Sequence, residues 1–222
     1  AMSEPLPLLL EPQLIHLDED LLVLDKPAGL LAVPGRGPDK QDCASRWAQA
    51  LAPGALVVHR LDMATSGLML MARHRLSQRL LGQAFEQRSI AKQYTAVVHG
   101  LLHDAGQWQT IDLPLAADWP RRPLQKVDAL NGRPSQTRWR VLAQAADQSR
   151  VLLEPLSGRS HQLRVHMQAI GHPIVGDALY GPAADEGAGP GGATRLLLHA
   201  SSLSLSHPAS GQLMHFDSPA PF

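Results

Sequence analysis

The nine residues His59-Arg60-Leu61-Asp62-Met63-Ala64-Thr65-Ser66-Gly67 set one aspartate beside a basic pair, in a run that ends in glycine. Ala55-Leu56-Val57-Val58 precedes them and Leu68-Met69-Leu70-Met71 follows. Short apolar runs of this kind read as buried strands, with the polar cluster in the loop between them. A carboxylate held between apolar walls is a candidate nucleophile or base, provided a cation nearby keeps it ionised.

Working outward, Leu21-Leu22-Val23-Leu24 is a short strand that ends at Asp25-Lys26-Pro27, and Val33-Pro34-Gly35-Arg36-Gly37-Pro38 is a loop. Residues 41–52 and 75–88 read as helices, the second with Leu76, Leu80, Leu81 and Ala84 on one side. Residues 68–72 and 94–98 read as strands, residues 137–143 and 149–155 as a strand pair, and residues 196–199 and 201–206 as returning strands. Residues 161–171 fit a helix that stops at Gly171 before His172-Pro173. Residues 113–122, with Pro114, Trp119 and Pro120, form an irregular insertion, and the glycine-rich residues 181–192 a flexible surface loop. Strands mixed with few helices indicate an α+β fold. Residues 1–13 read as a loose arm and 14–222 as one catalytic unit.

The chain has 222 residues, ample for a buried core. No apolar run approaches a membrane span, and residues 2–15 lack the basic start of a signal peptide. The single cysteine, Cys43, excludes an internal disulfide and a cysteine-based zinc cluster. The expected setting is cytoplasmic. The eleven histidines show no HExxH pattern, so no metal is expected. Net charge is zero, which weighs against a nucleic-acid binder, but the charge is uneven. Residues 1–59 hold four basic and eight acidic side chains, and residues 60–222 sixteen basic and twelve acidic. Sixteen of the twenty basic residues are arginine, the side chain suited to bidentate phosphate contact and stacking.

The opening stretch resembles the signature HRLDxxTSG of the RluA-type pseudouridine synthases. Lys26-Pro27-Ala28-Gly29 resembles that family's KPxG, and Lys92-Gln93-Tyr94-Thr95-Ala96 its KxYxA strand. Ser157-Gly158-Arg159-Ser160-His161-Gln162-Leu163-Arg164-Val165-His166 resembles TGRTHQLRVH, with serine where threonine is usual. Gly171-His172-Pro173-Ile174-Val175-Gly176-Asp177 matches GHPIxGD, and Leu197-Leu198-His199-Ala200 matches LLHA. The segments follow one another in the family's order over residues 14–222.

The resemblance implies a mixed, largely antiparallel sheet with a central catalytic cleft, and isomerisation of uridine to pseudouridine in RNA without cofactor or metal. It makes Asp62 the catalytic carboxylate, Tyr94 the residue stacked on the uracil and Arg164 the cation beside Asp62. Arg60 would hold the RNA after the target base leaves its stack. Apart from the resemblance, His59, Arg159, His161 and Lys26 are candidate substrate contacts; the alternative for His59 and His161 is that they satisfy buried backbone groups, and for Lys26 and Asp177 that they are structural salt-bridge residues. Whether Asp62 adds to the sugar or removes the C2′ proton stays open, the family favouring the second. Arg159 and Arg164 stand five apart and would not share a helix face, so they should have separate tasks.

Further segments, Val33-Pro34-Gly35-Arg36, Asp118-Trp119-Pro120 and Gln125-Lys126-Val127 among them, resemble a dual-specificity member of the family. That member acts on uridine 32 of tRNA anticodon stem-loops and uridine 746 of a 23S rRNA hairpin. The expected partners are these two loops, the expected state a monomer, and no upstream RNA-binding domain of the S4 type is expected. The competing readings are a family member confined to ribosomal RNA, a non-catalytic RNA-binding module and an aspartate-nucleophile hydrolase. Intact Asp62, Tyr94 and Arg164 oppose the second, and the absence of a DxDx[TV] segment opposes the third.

Overall fold

A computed structural model describes residues 10–104, 106–182 and 195–222. Ten strands form one twisted sheet in the order β1-β2-β4-β11-β5-β10-β9-β6, with β12 paired to β11 and β3 to β4. These strands are β1 Gln13–Leu17, β2 Leu21–Lys26, β3 Leu56–Val57, β4 Ser66–Ala72, β5 Ala91–His99, β6 Gln109–Asp112, β9 Gln136–Ala145, β10 Gln148–Pro155, β11 Leu198–Ser206 and β12 Leu213–Asp217. A separate hairpin joins β7 Leu115–Ala117 to β8 Gln125–Val127. The helices are α1 Ala44–Leu51, α2 Arg75–Glu86 and α3 Gln162–Ala169. Among the described residues, only the β4–β11 pairing in the large sheet is parallel. The expected mixed, largely antiparallel sheet is therefore the observed one.

The unbroken apolar runs of β2 and β4 follow from burial on both faces. Leu22, Leu24, Met69 and Met71 pack with Ala44, Ala48 and Ala52 at α1. Their sequence neighbours Leu21, Val23, Leu68 and Leu70 face the other way, onto Leu81 of α2 and Leu203 and Leu205 of β11. A third core joins β5 and β10, through Ala96, Val98, Val151 and Leu153, to Leu163 and Met167 of α3.

One edge of β4 is divided between two partners. β11 pairs with its first residues, Ser66 and Gly67, and β3 with its last, Met71 and Ala72. The chain between β3 and β4, residues 58–65, is the polar loop anticipated from the flanking apolar runs.

Several boundaries differ from the sequence reading. Gln13, placed in the arm, opens β1, and the rest of that arm up to residue 9 lies outside the described residues, as do residues 183–192 of the glycine-rich loop. The two returning strands are one, β11, with an irregularity between Ala200 and Ser202. The irregular insertion carries the start of the β7–β8 hairpin, because Pro114, Trp119 and Pro120 flank its strands rather than interrupt them. α3 begins at Gln162, with His161 as its left-handed N-cap (φ 55°). β1, β6 and β12 have exposed faces, and their weak apolar alternation gave no strand signal.

Gly67 marks the tightest point of the parallel pairing. Its φ is 113°, and a Cβ there would lie 2.3 Å from the backbone oxygen of Ala200. Backbone cannot swing aside as a side chain can, so Gly67→Ala should destabilise the fold by about 3 kcal/mol in chemical denaturation. A change below about 0.5 kcal/mol would contradict this close approach.

Candidate active site

The loop before β4, the start of β5 and residues 154–164 enclose a cleft of about 1020 Å³. Asp62 stands on its wall with its side chain 26 % exposed. The loop is fixed from below. Lys26 Nζ donates to the carbonyls of Pro27 (2.9 Å), Leu30 (2.7 Å) and Met63 (3.1 Å), and the Gly29 amide donates to the same Met63 oxygen at 2.8 Å. The Thr65 amide closes a turn onto the Asp62 carbonyl at 3.1 Å. The Lys26-Pro27-Ala28-Gly29 segment therefore sets the height at which Asp62 enters the cleft.

Arg164 provides the cation. Its Nη1 lies 3.2 Å from Asp62 Oδ2, while Nε and Nη2 form a two-pronged pair with Asp177 at 2.8 and 2.7 Å. Asp177 is fully buried and also accepts the amides of Leu179 and Tyr180. Burial alone would weaken the guanidinium's hold on its proton, but Asp177 and then Asp62 more than offset this and raise its pKa. Such a group is always charged, so Asp62 faces a fixed cation. The residues Arg159 and Arg164 do separate: Arg159 precedes α3 and Arg164 lies within it.

Tyr94 projects from β5 into the cleft, packed against the apolar sets on both sides of it. Burial, then the negative charge of Asp62, pushes its phenol well above the ordinary tyrosine value. It is a neutral hydroxyl at physiological pH, able to donate a proton. Arg60 is exposed on the cleft wall. Arg159 lines the same wall, and its buried Nε has no partner. The cleft lining holds Arg60, Arg88, Lys92, Arg159 and Arg164 against Asp62, Glu86 and Glu154. A chain of zero net charge thus has a locally basic cleft, which answers the objection from composition.

Two of the candidate substrate contacts hold backbone, and His59 does so while lining the cleft. Lys26 is fully buried outside the cleft lining, and its three N–H donors are taken up by three carbonyls, so it supports the loop. Burial pushes its pKa down to about 7 against the opposing charge of Asp62, yet three carbonyl acceptors need the three donors of an ammonium. His59 accepts the Leu70 amide at Nε2 (2.8 Å) and packs on Phe85 at 4.7 Å between ring centres. It completes the β4 edge between β11 and β3. Burial, with Lys92 nearby, holds it neutral with a pKa of about 3.

His161 does stand at the site. Its Nε2 lies 3.9 Å from Asp62 Oδ2, and its Nδ1 lies 2.6 Å from the Tyr180 hydroxyl. Sequence reasoning left Asp177 outside the site and missed Tyr180 and Gln162. Gln162 accepts from the Ser157 hydroxyl and the Arg159 amide and donates to Gln136 and Thr137, which ties the loop before α3 to β9. The only available signal for Asp177 and Tyr180 was their place in Gly176-Asp177-Ala178-Leu179-Tyr180, since distances along the chain do not reveal the contacts.

Among the described residues, Asp18, Asp20 and His207 bring three possible metal-ligating atoms together, away from the cleft. His207 Nδ1 accepts the amides of Ala209 and Ser210, so its proton sits on Nε2 and points to Asp18 at 3.2 Å. That tautomer does not suit a metal ligand. One HxxxH spacing also occurs, His99 and His103, but it straddles the end of β5 rather than a helical turn.

Lys26→Met should leave three carbonyls without their donor and cost roughly 2–3 kcal/mol of stability in denaturant melts. RNA affinity of the folded variant should stay within about threefold of wild type, because Lys26 does not face the cleft. Loss of affinity with unchanged stability would restore it as an RNA contact.

Known proteins resemble this chain in sequence and in fold. The RNA pseudouridylate synthase family model matches residues 20–169. The dual-specificity RNA pseudouridine synthase RluA of Escherichia coli strain K12 is 46 % identical over 215 residues, covering 96 % of this chain and 95 % of the relative. Its namesake in Yersinia pestis is 45 % identical over 210 residues, covering 94 % of this chain and 98 % of that one. Among solved structures, human RNA pseudouridylate synthase domain containing 1 superposes with a TM-score of 0.78 at 27 % identity, covering 99 % of this chain and 87 % of that one. With the matched model spanning most of the sheet and both halves of the Asp62–Arg164 pair, the chain belongs to the RNA pseudouridylate synthase family.

Proposed function

We propose that this protein isomerises uridine to pseudouridine in RNA loops, at uridine 32 of tRNA anticodon stem-loops and uridine 746 of 23S rRNA, acting in the cytoplasm as a monomer. The observation that carries the reading is the Asp62 carboxylate held by a clamped guanidinium in a basic cleft that also contains the neutral Tyr94 phenol. The dual specificity is taken from the name of its bacterial relatives.

The reaction breaks the N1–C1′ bond, turns the uracil and joins C5 to C1′; the C5 proton leaves and N1 gains one. Atoms and electrons balance within substrate and water, so neither oxidant nor reductant takes part. Asp62 would act at the sugar, either adding to C1′ or removing the C2′ proton. The half-buried Tyr94 ring would stack on the uracil, and its hydroxyl would assist proton movement at C5, passing its own proton on as it takes one up. A base inside a stack is out of reach, and flipping it costs a few kcal/mol, least in a loop. Exposed Arg60 at the cleft edge, with Arg159, would hold the displaced strand.

Tritium release from RNA carrying 5-tritiated uridine tests the reading on both loops. Release from both is expected. Asp62→Asn should abolish it while RNA affinity stays within about tenfold, since this side chain serves chemistry rather than phosphate binding. Arg60→Ala should weaken affinity as well as turnover. Release from the ribosomal hairpin alone would narrow the substrate. Release from neither, with binding intact, would point to an RNA-binding module.

A further inference from the structure

Tyr180 is buried, and its hydroxyl is bonded on two sides. The Gln125 amide donates to it at 2.8 Å, and His161 Nδ1 lies 2.6 Å away. A backbone amide can only donate, so the phenol oxygen is the acceptor of that bond. Its own proton then has one neighbour able to receive it, the lone pair of His161 Nδ1. The opposite arrangement, with Nδ1–H donating, would leave a buried phenol proton without an acceptor, at a cost of about 1–3 kcal/mol. His161 is therefore the tautomer that carries its proton on Nε2.

That Nε2 lies 3.9 Å from Asp62 Oδ2, too far for a hydrogen bond between them. The side chain is 14 % exposed, within the cleft lining. Its backbone holds the left-handed conformation, φ 55°, which a residue with a Cβ adopts only where its surroundings impose it. Burial first, and Arg164 beside it, lower the pKa of His161 and keep it neutral, while Asp62 pulls the other way. The gap between a donor N–H and an acceptor carboxylate fits an oxygen that accepts from one and donates to the other. The uracil oxygens only accept and N3–H only donates. Within an internal nucleotide of RNA, the 2′-hydroxyl alone does both.

We propose that Tyr180 is a positioning residue that locks His161 as an Nε2–H donor, and that this donor and Asp62 together bind the 2′-hydroxyl of the target nucleotide. The proposal rests on the synthase reading above and deepens it: the same pair that brings the sugar to Asp62 also distinguishes RNA from DNA at the reacting nucleotide.

Nitrogen-15 spectra of the imidazoles, with His161 assigned by loss of its signal in His161→Gln, test the tautomer in wild-type protein. A protonated Nε2 and a bare Nδ1 are expected; a protonated Nδ1 overturns the proposal. A double-mutant cycle on tritium release tests the role of Tyr180. Tyr180→Phe should lower kcat/KM about tenfold in wild type. In His161→Gln, whose amide N–H reaches a similar point and has no tautomer to fix, the same change should cost less than about twofold. An equal loss in both backgrounds would mean that Tyr180 only props β8 through Gln125. Finally, a stem-loop with 2′-deoxyuridine at the target should bind wild type about tenfold more weakly than its uridine counterpart, and His161→Ala should bind the two within about twofold. Full discrimination by His161→Ala overturns the hydroxyl assignment. Wild type inactive on both uridine loops would instead count against the synthase reading itself.

Discussion

The two-pronged pair between Arg164 and the buried Asp177 is the contact on which the site depends. A guanidinium has five N–H donors in a rigid plane. Two are committed to Asp177, at 2.7 and 2.8 Å, and that commitment aims a third at Asp62. Asp177 in turn is anchored by two backbone amides in the turn after residue 176. A buried charge pair rarely adds net stability over apolar packing, but removing one member leaves the other stranded at a cost of roughly 3–5 kcal/mol. The arrangement here serves direction: it fixes a permanent cation beside a carboxylate that has to enter a partly dry cleft.

Asp62 is held by a second, independent support. The loop that carries it crosses between β3 and β4, and the Lys26 ammonium and the Gly29 amide both grip the Met63 carbonyl directly after it. His59, before it, is tied to β4 through the Leu70 amide. Divided pairing along one edge of β4 leaves space for the cleft, and Gly67 permits the close approach of β11 that begins that division. Fold and chemistry thus meet over a few residues. The strand that is buried on both faces is also the one that fixes the end of the catalytic loop.

What could be read from the sequence follows from how local each signal is. The runs at Leu21–Leu24 and Leu68–Met71 announced buried strands because both faces of β2 and β4 are covered. Asp62, Tyr94 and Arg164 were legible through their motifs, and the structure brings Asp62 and Arg164 into contact although 102 residues separate them. Lys26 and His59 stood in those same motifs but proved to hold backbone, because a lysine whose acceptors are carbonyls looks in sequence like any other lysine. Tyr180 could not have been linked to His161 by spacing, since their bond crosses nineteen positions and passes through no helix they share. Exposed strands such as β12 alternate too weakly to announce themselves.

Arg164 is expected to work through its planar fork and not through charge alone. Single-turnover tritium release by Arg164→Lys, which keeps the charge and loses the fork, tests it most directly. A fall of about 100-fold is expected, equivalent to about 2.7 kcal/mol of transition-state stabilisation, with the fold intact. A lysine variant within about threefold of wild type would contradict it, since any cation near Asp62 would then suffice.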